Sequence, residues 1–356
     1  MLLQLTDDQG FFRETTAKFL DDQAPVGELR RLRDDQAGFE EKYWRQGADL
    51  GWTSLLVSEE HGGGTISGDG VVDLTLIAHE FGRHAAPGPL VPTNIVAAAL
   101  SAAASHLDVL GELLAGTSIA SWCDGVDVRV DGSDVVVNGT ARPVESAAQA
   151  SHLLVTNART QALVPSDRSG VSIAPMHSVD LTRRFGVVTF DNVRLPEGAL
   201  VTADADPDRL LQLALVMANA ESVGAMQTAF EMTVEWATDR YSFGRPLNSY
   251  QALKHRFADM KCWLEASHAI ADSSALALQR QSPDAAELLS AAKAYIGKYG
   301  SELVHDCVQL HGGIGVTFEH DLHLYLRRHT LNRGLYGTPP EHLRRITDLV
   351  EDRENS

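Results

Sequence analysis

The stretch DRYSFGRPLNSYQ, residues 239–251, interrupts what is otherwise a long run of helical sequence. Gly244 and Pro246 stop a helix and make a turn. Upstream, in VGAMQTAFEMTVEWATDR, the residues Val223, Met226, Phe230, Val234 and Ala237 recur at helical spacing and share one face. Downstream, YQALKHRFADMKCWLEASHAIADSSALALQRQ runs for many turns without Gly or Pro. The segment SPDAAELLSAAKAYIGKYGSELVHDCVQLHGG then opens on a Ser-Pro-Asp cap signal and closes on a double glycine. Residues 205–356 are therefore expected to form a bundle of long helices.

Working back from there, residues 117–204 have a different texture. DVRVDGSDVVVNG alternates and contains an Asp-Gly turn signal, and SHLLVTN, QALVPSD, GVSIAPM and FGVVTFDNVRLP are short β-rich runs. That spacing predicts a small antiparallel β-barrel or sandwich. Residues 1–116 read as helical again. TDDQGFFRETTAKFLDD starts on a Thr-Asp cap, and NIVAAALSAAASHLDVLGELLAG reads as one Ala/Leu-rich helix ending at Gly116. The expectation is an α+β, multi-domain chain: all-α, then β, then all-α. A β domain set between two helical ones suggests a cleft of the kind in which cofactors bind.

Composition narrows the function classes. The 356 residues are 44% hydrophobic and 22% charged, as in ordinary globular proteins, and the net charge is −18. Such a chain repels nucleic acid and anionic membrane. Cys123, Cys262 and Cys307 lie far apart with no C-x-x-C pair, so neither a zinc site nor a disulfide framework is expected. No apolar run approaches the roughly 18 residues of a membrane span, and no signal segment is visible, so the expected compartment is the cytoplasm. His320 and His323 have an i, i+3 spacing, but they are read as structural histidines and no metal is expected.

Two motifs carry chemistry. In the first, Arg240 and Phe243 stand where the long helix breaks; a guanidinium there can grip a pyrophosphate bidentately, and it equally suits a helix C-terminus. In the second, QLHGG, Gln309, Leu310 and His311 lead into Gly312 and Gly313. Glycines let a ligand approach the backbone closely, and a double glycine also simply ends a helix. With LGWTSLLVSEEHGGGT at 50–65, SVDLTRRFGVVTFDNVRLP at 178–196 and EHDLHLYLRR at 319–328, these motifs resemble the acyl-CoA dehydrogenase family of flavoproteins over nearly the whole chain. The resemblance implies an N-terminal helical domain at 1–116, a middle β domain at 117–204 and a C-terminal four-helix-bundle domain at 205–356. It implies FAD as cofactor, with Arg240, Phe243, Gln251 and Thr338 among its contacts. It also implies that Gln309 to Gly313 bind the adenylate half of a flavin seated mainly in the neighbouring subunit.

The departures from the family are selective. In NRGLYGTPPEHLRRI, residues 332–346, the catalytic glutamate expected before Gly337-Thr338 is Tyr336. A phenol with an ordinary pKa of about 10 is protonated at neutral pH and makes a poor base. Some relatives place the base on an earlier helix, a position matched here near Ala214, which is not acidic either. Glu221 and Glu341 are the candidate surrogates. The Gly-Ser loop of the family's β domain is absent, and Trp122 stands isolated, read as a core tryptophan. The resemblance is thus to the base-lacking subunit of heterotetrameric actinobacterial steroid-CoA dehydrogenases. It implies an α2β2 assembly with a catalytic partner chain, an acyl-CoA substrate and electron-transfer flavoprotein as acceptor. A self-sufficient homotetrameric dehydrogenase and a non-enzymatic acyl-CoA-binding or scaffold homologue are the alternatives.

Overall fold

A computed structural model describes residues 4–202, 204–206 and 208–354. The first helix, α1 (Asp7–Gln23), begins where its sequence says it should. Thr6 Oγ1 accepts from the Gln9 N–H at 3.2 Å and Gln9 Oε1 accepts from the Thr6 N–H at 3.1 Å, a reciprocal capping box. Replacing Thr6 by alanine is expected to cost about 1 kcal/mol in a urea unfolding titration. Next come α2 (Glu41–Asp49), α3 (Gly70–Arg83), α4 (Leu90–Ala102) and α5 (Leu107–Leu114). The single helix expected across 94–116 is in fact these last two. The chain turns between them with Ala104 and His106 at φ of 47° and 51°, a backbone no helix interior holds.

The β region consists of β1 (Ala120–Asp124), β2 (Asp127–Asp131), β3 (Asp134–Glu145), β4 (His152–Asn157), β5 (Thr160–Pro165), β6 (Val171–Met176), β7 (Phe185–Pro196) and β8 (Leu200–Thr202). They form two four-stranded sheets, ordered β1-β4-β5-β8 and β2-β3-β7-β6. One apolar core joins them, with Cys123, Leu153, Val155 and Val164 from the first sheet and Val128, Val137, Val188 and Phe190 from the second. This is a sandwich. The Asp-Gly signal is the β2–β3 hairpin, in which Asp131 pairs with Asp134 across Gly132-Ser133. The expected all-antiparallel pattern needs one correction: β1 and β4 run parallel. The β2–β3 hairpin of the other sheet lies between them in sequence, and the chain returns from it in the original direction. Trp122 is also not a core residue. It lies half-buried on edge strand β1, with its indole N–H donating to Thr156 Oγ1 at 3.0 Å.

The remaining elements are α6 (Arg209–Asp239), the short strands β9 (Tyr241–Ser242) and β10 (Arg245–Pro246), and α7 (Gln251–Gln279), α8 (Ala285–His311), α9 (Leu322–Gly334) and α10 (Pro339–Glu354). Helix α8 is central, packed against α7, α9 and α10. Two glycines bring α3 and α6 together backbone to backbone. A Cβ on Gly82 would stand 1.9 Å from the Glu221 carbonyl oxygen, and one on Gly224 would stand 2.0 Å from that of His79. Along α6, Val223, Met226 and Ala237 are buried as their spacing predicts, but Val234 is exposed, because in these turns the buried line runs through Ala229, Thr233 and Ala237 and Val234 lies to one side of it. The chain divides into two compact units. Met1–Leu29, Val71–Ala86 and Leu215–Ser356 make one, and Arg30–Gly70 with Pro87–Ala214 makes the other.

Candidate active-site elements and cofactor pocket

Where α6 ends, the chain makes a two-residue hairpin. Arg245 pairs with Ser242 and Pro246 with Tyr241, and Phe243 and Gly244 form the turn at φ of 50° and 82°. Two successive positive φ values are what a tight type I′ turn requires. Gly244 adopts one freely, whereas a phenylalanine there is strained and has to be held. The hairpin supplies its own restraints. Tyr250 Oη donates to the Ser242 carbonyl at 2.6 Å, the Arg245 guanidinium lies 3.9 Å from the Tyr250 ring centroid, and the Leu247 N–H donates to the Arg240 carbonyl. Phe243 consequently projects with 97% of its surface exposed.

Beside this hairpin ends α8. His311 is buried, donates Nδ1–H to the Cys307 carbonyl at 2.8 Å, and stacks on Trp236 with ring centroids 5.4 Å apart and planes 16° apart. Burial, the largest influence, holds its pKa below the ordinary histidine value, so the ring is neutral around pH 7. The helix stops at Gly312, whose φ of 66° a side chain would strain. A Cβ on Gly313 would meet nothing within 4 Å, and its φ makes no demand. Nothing among the described residues therefore requires glycine at 313.

Together these ends enclose a surface pocket of about 550 Å³. Trp236, Arg240, Tyr241, Ser242 and Leu247 line one side, and Gln309 to Ile314 line the other. Arg240 and Gln309 are 69 positions apart in the chain, and the fold brings Arg240 together with Gln309, Leu310, His311, Gly312 and Gly313. Phe243, Gln251 and Thr338 do not line this pocket. Arg240 makes no side-chain hydrogen bond or ion pair among the described residues; its guanidinium carbon lies 5.9 Å from the Trp236 ring centroid. Two of the lining residues, Tyr241 and Ile314, are exposed apolar side chains. Sequence reading missed Trp236 as a lining residue. The available signal was its place four residues before Arg240, on the same helix face.

The two surrogate carboxylates are already committed to other groups. Glu221 is buried on α6, where Oε1 accepts from Arg328 at 2.6 Å and Oε2 from Asn332 Nδ2 at 2.7 Å. Arg328 is fully buried and also donates to the carbonyls of Ala85 and Ala86 at the end of α3. Glu341 is exposed, and its Oε2 accepts from both the N–H and the Oγ1–H of Thr338 at 2.7 Å. Those bonds hold its pKa below the usual carboxylate range and cap the start of α10. Tyr336 sits at φ of 59°, and its carbonyl accepts from His342 Nε2 at 2.9 Å. His320 and His323 are taken up by the Leu322 N–H and the Phe318 carbonyl, and no group of three or more His, Cys, Asp or Glu side chains among the described residues is placed to hold a metal ion.

The family model of the acyl-CoA dehydrogenase N-terminal domain matches residues 6–107, and that of the C-terminal domain matches residues 209–349. The acyl-CoA dehydrogenase IpdE2 of Mycobacterium tuberculosis is 31% identical over 346 residues, which are 97% of this chain and 98% of that protein. The chain belongs to the acyl-CoA dehydrogenase family. A second mycobacterial acyl-CoA dehydrogenase, FadE34 of M. tuberculosis, is 30% identical over 361 residues; these are 99% of this chain but 49% of FadE34. Among solved structures, the Tcur3481–Tcur3483 steroid acyl-CoA dehydrogenase G363A variant is 26% identical with a TM-score of 0.88, covering 98% of this chain and 99% of that one. The acyl-CoA dehydrogenase fold therefore accounts for the helix–sandwich–helix order, and the family's chemistry is oxidoreduction with FAD. No helix among the described residues is long and apolar enough to cross a membrane.

Proposed function

We propose that this chain is a subunit of an FAD-dependent acyl-CoA dehydrogenase that completes a partner chain's flavin site and lacks a base of its own. The supporting observation is the Arg240 pocket. Among the described residues its guanidinium has no acidic partner and the adjacent Gly313 meets nothing that requires a glycine, and it adjoins a strained hairpin that presents Phe243 outward. Such an arrangement suits a phosphate-bearing ligand and a second protein surface lying outside this chain. The residues present fit the nucleotide half of FAD. Arg240 would hold phosphate, and the exposed backbone of Gly312-Gly313 would lie against the nucleoside. When bound, FAD supplies the electron acceptor for α,β-desaturation of an acyl-CoA thioester.

The surroundings of the carboxylates favour this reading over a self-sufficient homotetramer. Proton abstraction next to a thioester carbonyl needs a free anionic base. Tyr336 is a phenol, Glu221 has both oxygens engaged in the core, and Glu341 caps a helix. The partner would supply the base in an α2β2 assembly. The likeness to the Tcur3481–Tcur3483 steroid acyl-CoA dehydrogenase supports such a pair and the steroid-CoA class of substrate. FadE34, twice the matched length, leaves room for a second unit of similar size in one polypeptide. Electron-transfer flavoprotein is the acceptor this reading implies.

The test is Arg240→Ala in the co-expressed complex. Losing a charge-assisted phosphate contact is expected to weaken flavin retention by about tenfold or more, read from the visible flavin absorbance per chain after gel filtration. Full flavin occupancy in that variant would sink the assignment. A chain that turns over acyl-CoA when purified alone would favour the self-sufficient enzyme instead.

A further inference from the structure

Trp236 differs from the tryptophans that build the core. Trp44 and Trp52 are 1% and 0% exposed, whereas Trp236 is only half-buried and forms a wall of the pocket. Its ring is fixed from below. His311 stacks on it, His311 is itself tied to the Cys307 carbonyl, and His320 packs edge-on against both rings at 6.4 Å and 4.7 Å. The Arg240 guanidinium lies near that fixed indole, one helical turn further on, and the Arg240 N–H donates to the Trp236 carbonyl at 2.9 Å.

An exposed arginine with no carboxylate partner normally samples many rotamers, and ordering it on binding costs affinity. Among the described residues, the indole ring is the side chain that the guanidinium lies against. We infer that Trp236 is a positioning residue, holding the Arg240 guanidinium over the pocket before any ligand arrives. The attraction is that of a cation for an aromatic quadrupole, for which tryptophan is the strongest partner. The His311 ring beneath it is neutral around pH 7, so no like charge opposes the guanidinium across the stack. Because this inference rests on the pocket accepting a nucleotide phosphate, its test has to separate the two claims.

The probe is ADP, measured by equilibrium dialysis against the full-length chain and its variants. Trp236→Leu keeps apolar bulk but removes the ring face, and is expected to weaken ADP binding about two- to fivefold. Trp236→Phe restores a ring and should bind ADP nearly as the wild type does, which a general packing defect would not permit. Arg240→Ala should weaken ADP binding more than either. The deciding result is the double variant. If Trp236 acts through Arg240, Trp236→Leu has no further effect in the Arg240→Ala background. An equal loss in both backgrounds overturns the inference and makes Trp236 a direct ligand contact. Wild-type affinity in Trp236→Leu overturns it too. Failure of the wild-type chain to bind ADP at all removes the pocket reading itself, and the inference with it.

Discussion

Glu221→Ala is expected to lower the unfolding free energy by about 3–5 kcal/mol, the usual consequence of stripping one partner from a buried ion pair. The substitution removes the carboxylate that pairs with Arg328, whose side chain is 0% exposed. It also removes the acceptor of the Asn332 amide, at the same junction of α6 and α9. Glu221→Gln should cost less. A glutamine oxygen still accepts from Arg328, and Asn332 Oδ1, buried without a partner, can accept from the new amide if Asn332 turns over. Replacing both Glu221 and Arg328 by methionine does not recover the wild-type value, because Arg328 also satisfies the carbonyls that close α3. A urea titration followed by far-ultraviolet circular dichroism reads all three. The same variants decide whether Glu221 is a base. Were it one, Glu221→Gln would abolish turnover while leaving the unfolding curve nearly unchanged.

Lys293→Met is expected to stabilise the protein at neutral pH. Lys293 is 2% exposed on α8 and donates to the Asn332 carbonyl in the last turn of α9. No carboxylate bonds to it among the described residues, and its neighbour in charge is Arg333. Burial, reinforced by Arg333, pushes its pKa from 10.5 down to about 7. The sign follows from proton counts. Between pH 7 and 10.5 the unfolded chain holds a proton that the folded chain has released, so unfolding free energy rises with pH across that window. Below pH 7 the folded chain carries the full burden of a buried ammonium, on the order of 4 kcal/mol. Losing the bond to the Asn332 carbonyl offsets about 1 kcal/mol of the gain from methionine. The variant should therefore exceed the wild type by about 3 kcal/mol at pH 7 and below. The advantage should shrink as pH rises toward the ordinary lysine pKa. A variant less stable than the wild type at neutral pH would contradict both the sign and its cause.

What could be read locally was read well. The Thr6–Gln9 capping box, the Asp-Gly turn of β2–β3, the turn at Gly244, the helix stop at Gly312 and the order of helical and β segments all depend on residues a few positions apart. The errors arose where a local pattern had competing continuations. NIVAAALSAAASHLDVLGELLAG has the composition of one helix, yet Ala104 and His106 take left-handed backbone and divide it. Trp122 has the size of a core residue, yet it alternates with Cys123, which faces the sandwich core, and so lies half outside on the other face of β1. Val234 keeps the helical stripe, yet the buried line of these turns passes through Thr233 and Ala237 beside it.

The amino-acid sequence by itself determined the family, because that is a matter of residue identity: Arg240, Phe243 and the QLHGG run are present, and a tyrosine stands at 336. Only the tertiary structure decided what the remaining carboxylates do. Glu341 meets a cap three residues away and was within reach of inspection. Glu221 meets Arg328 and Asn332, 107 and 111 positions along the chain. Ionisation, partnership and availability as a base depend on distance and burial in space, and periodicity along a sequence does not encode which distant residue will arrive beside a given side chain. The same holds for the pocket. Trp236 and His311 carry no mark that they stack, and their meeting beneath Arg240 is a consequence of how α6 and α8 end side by side.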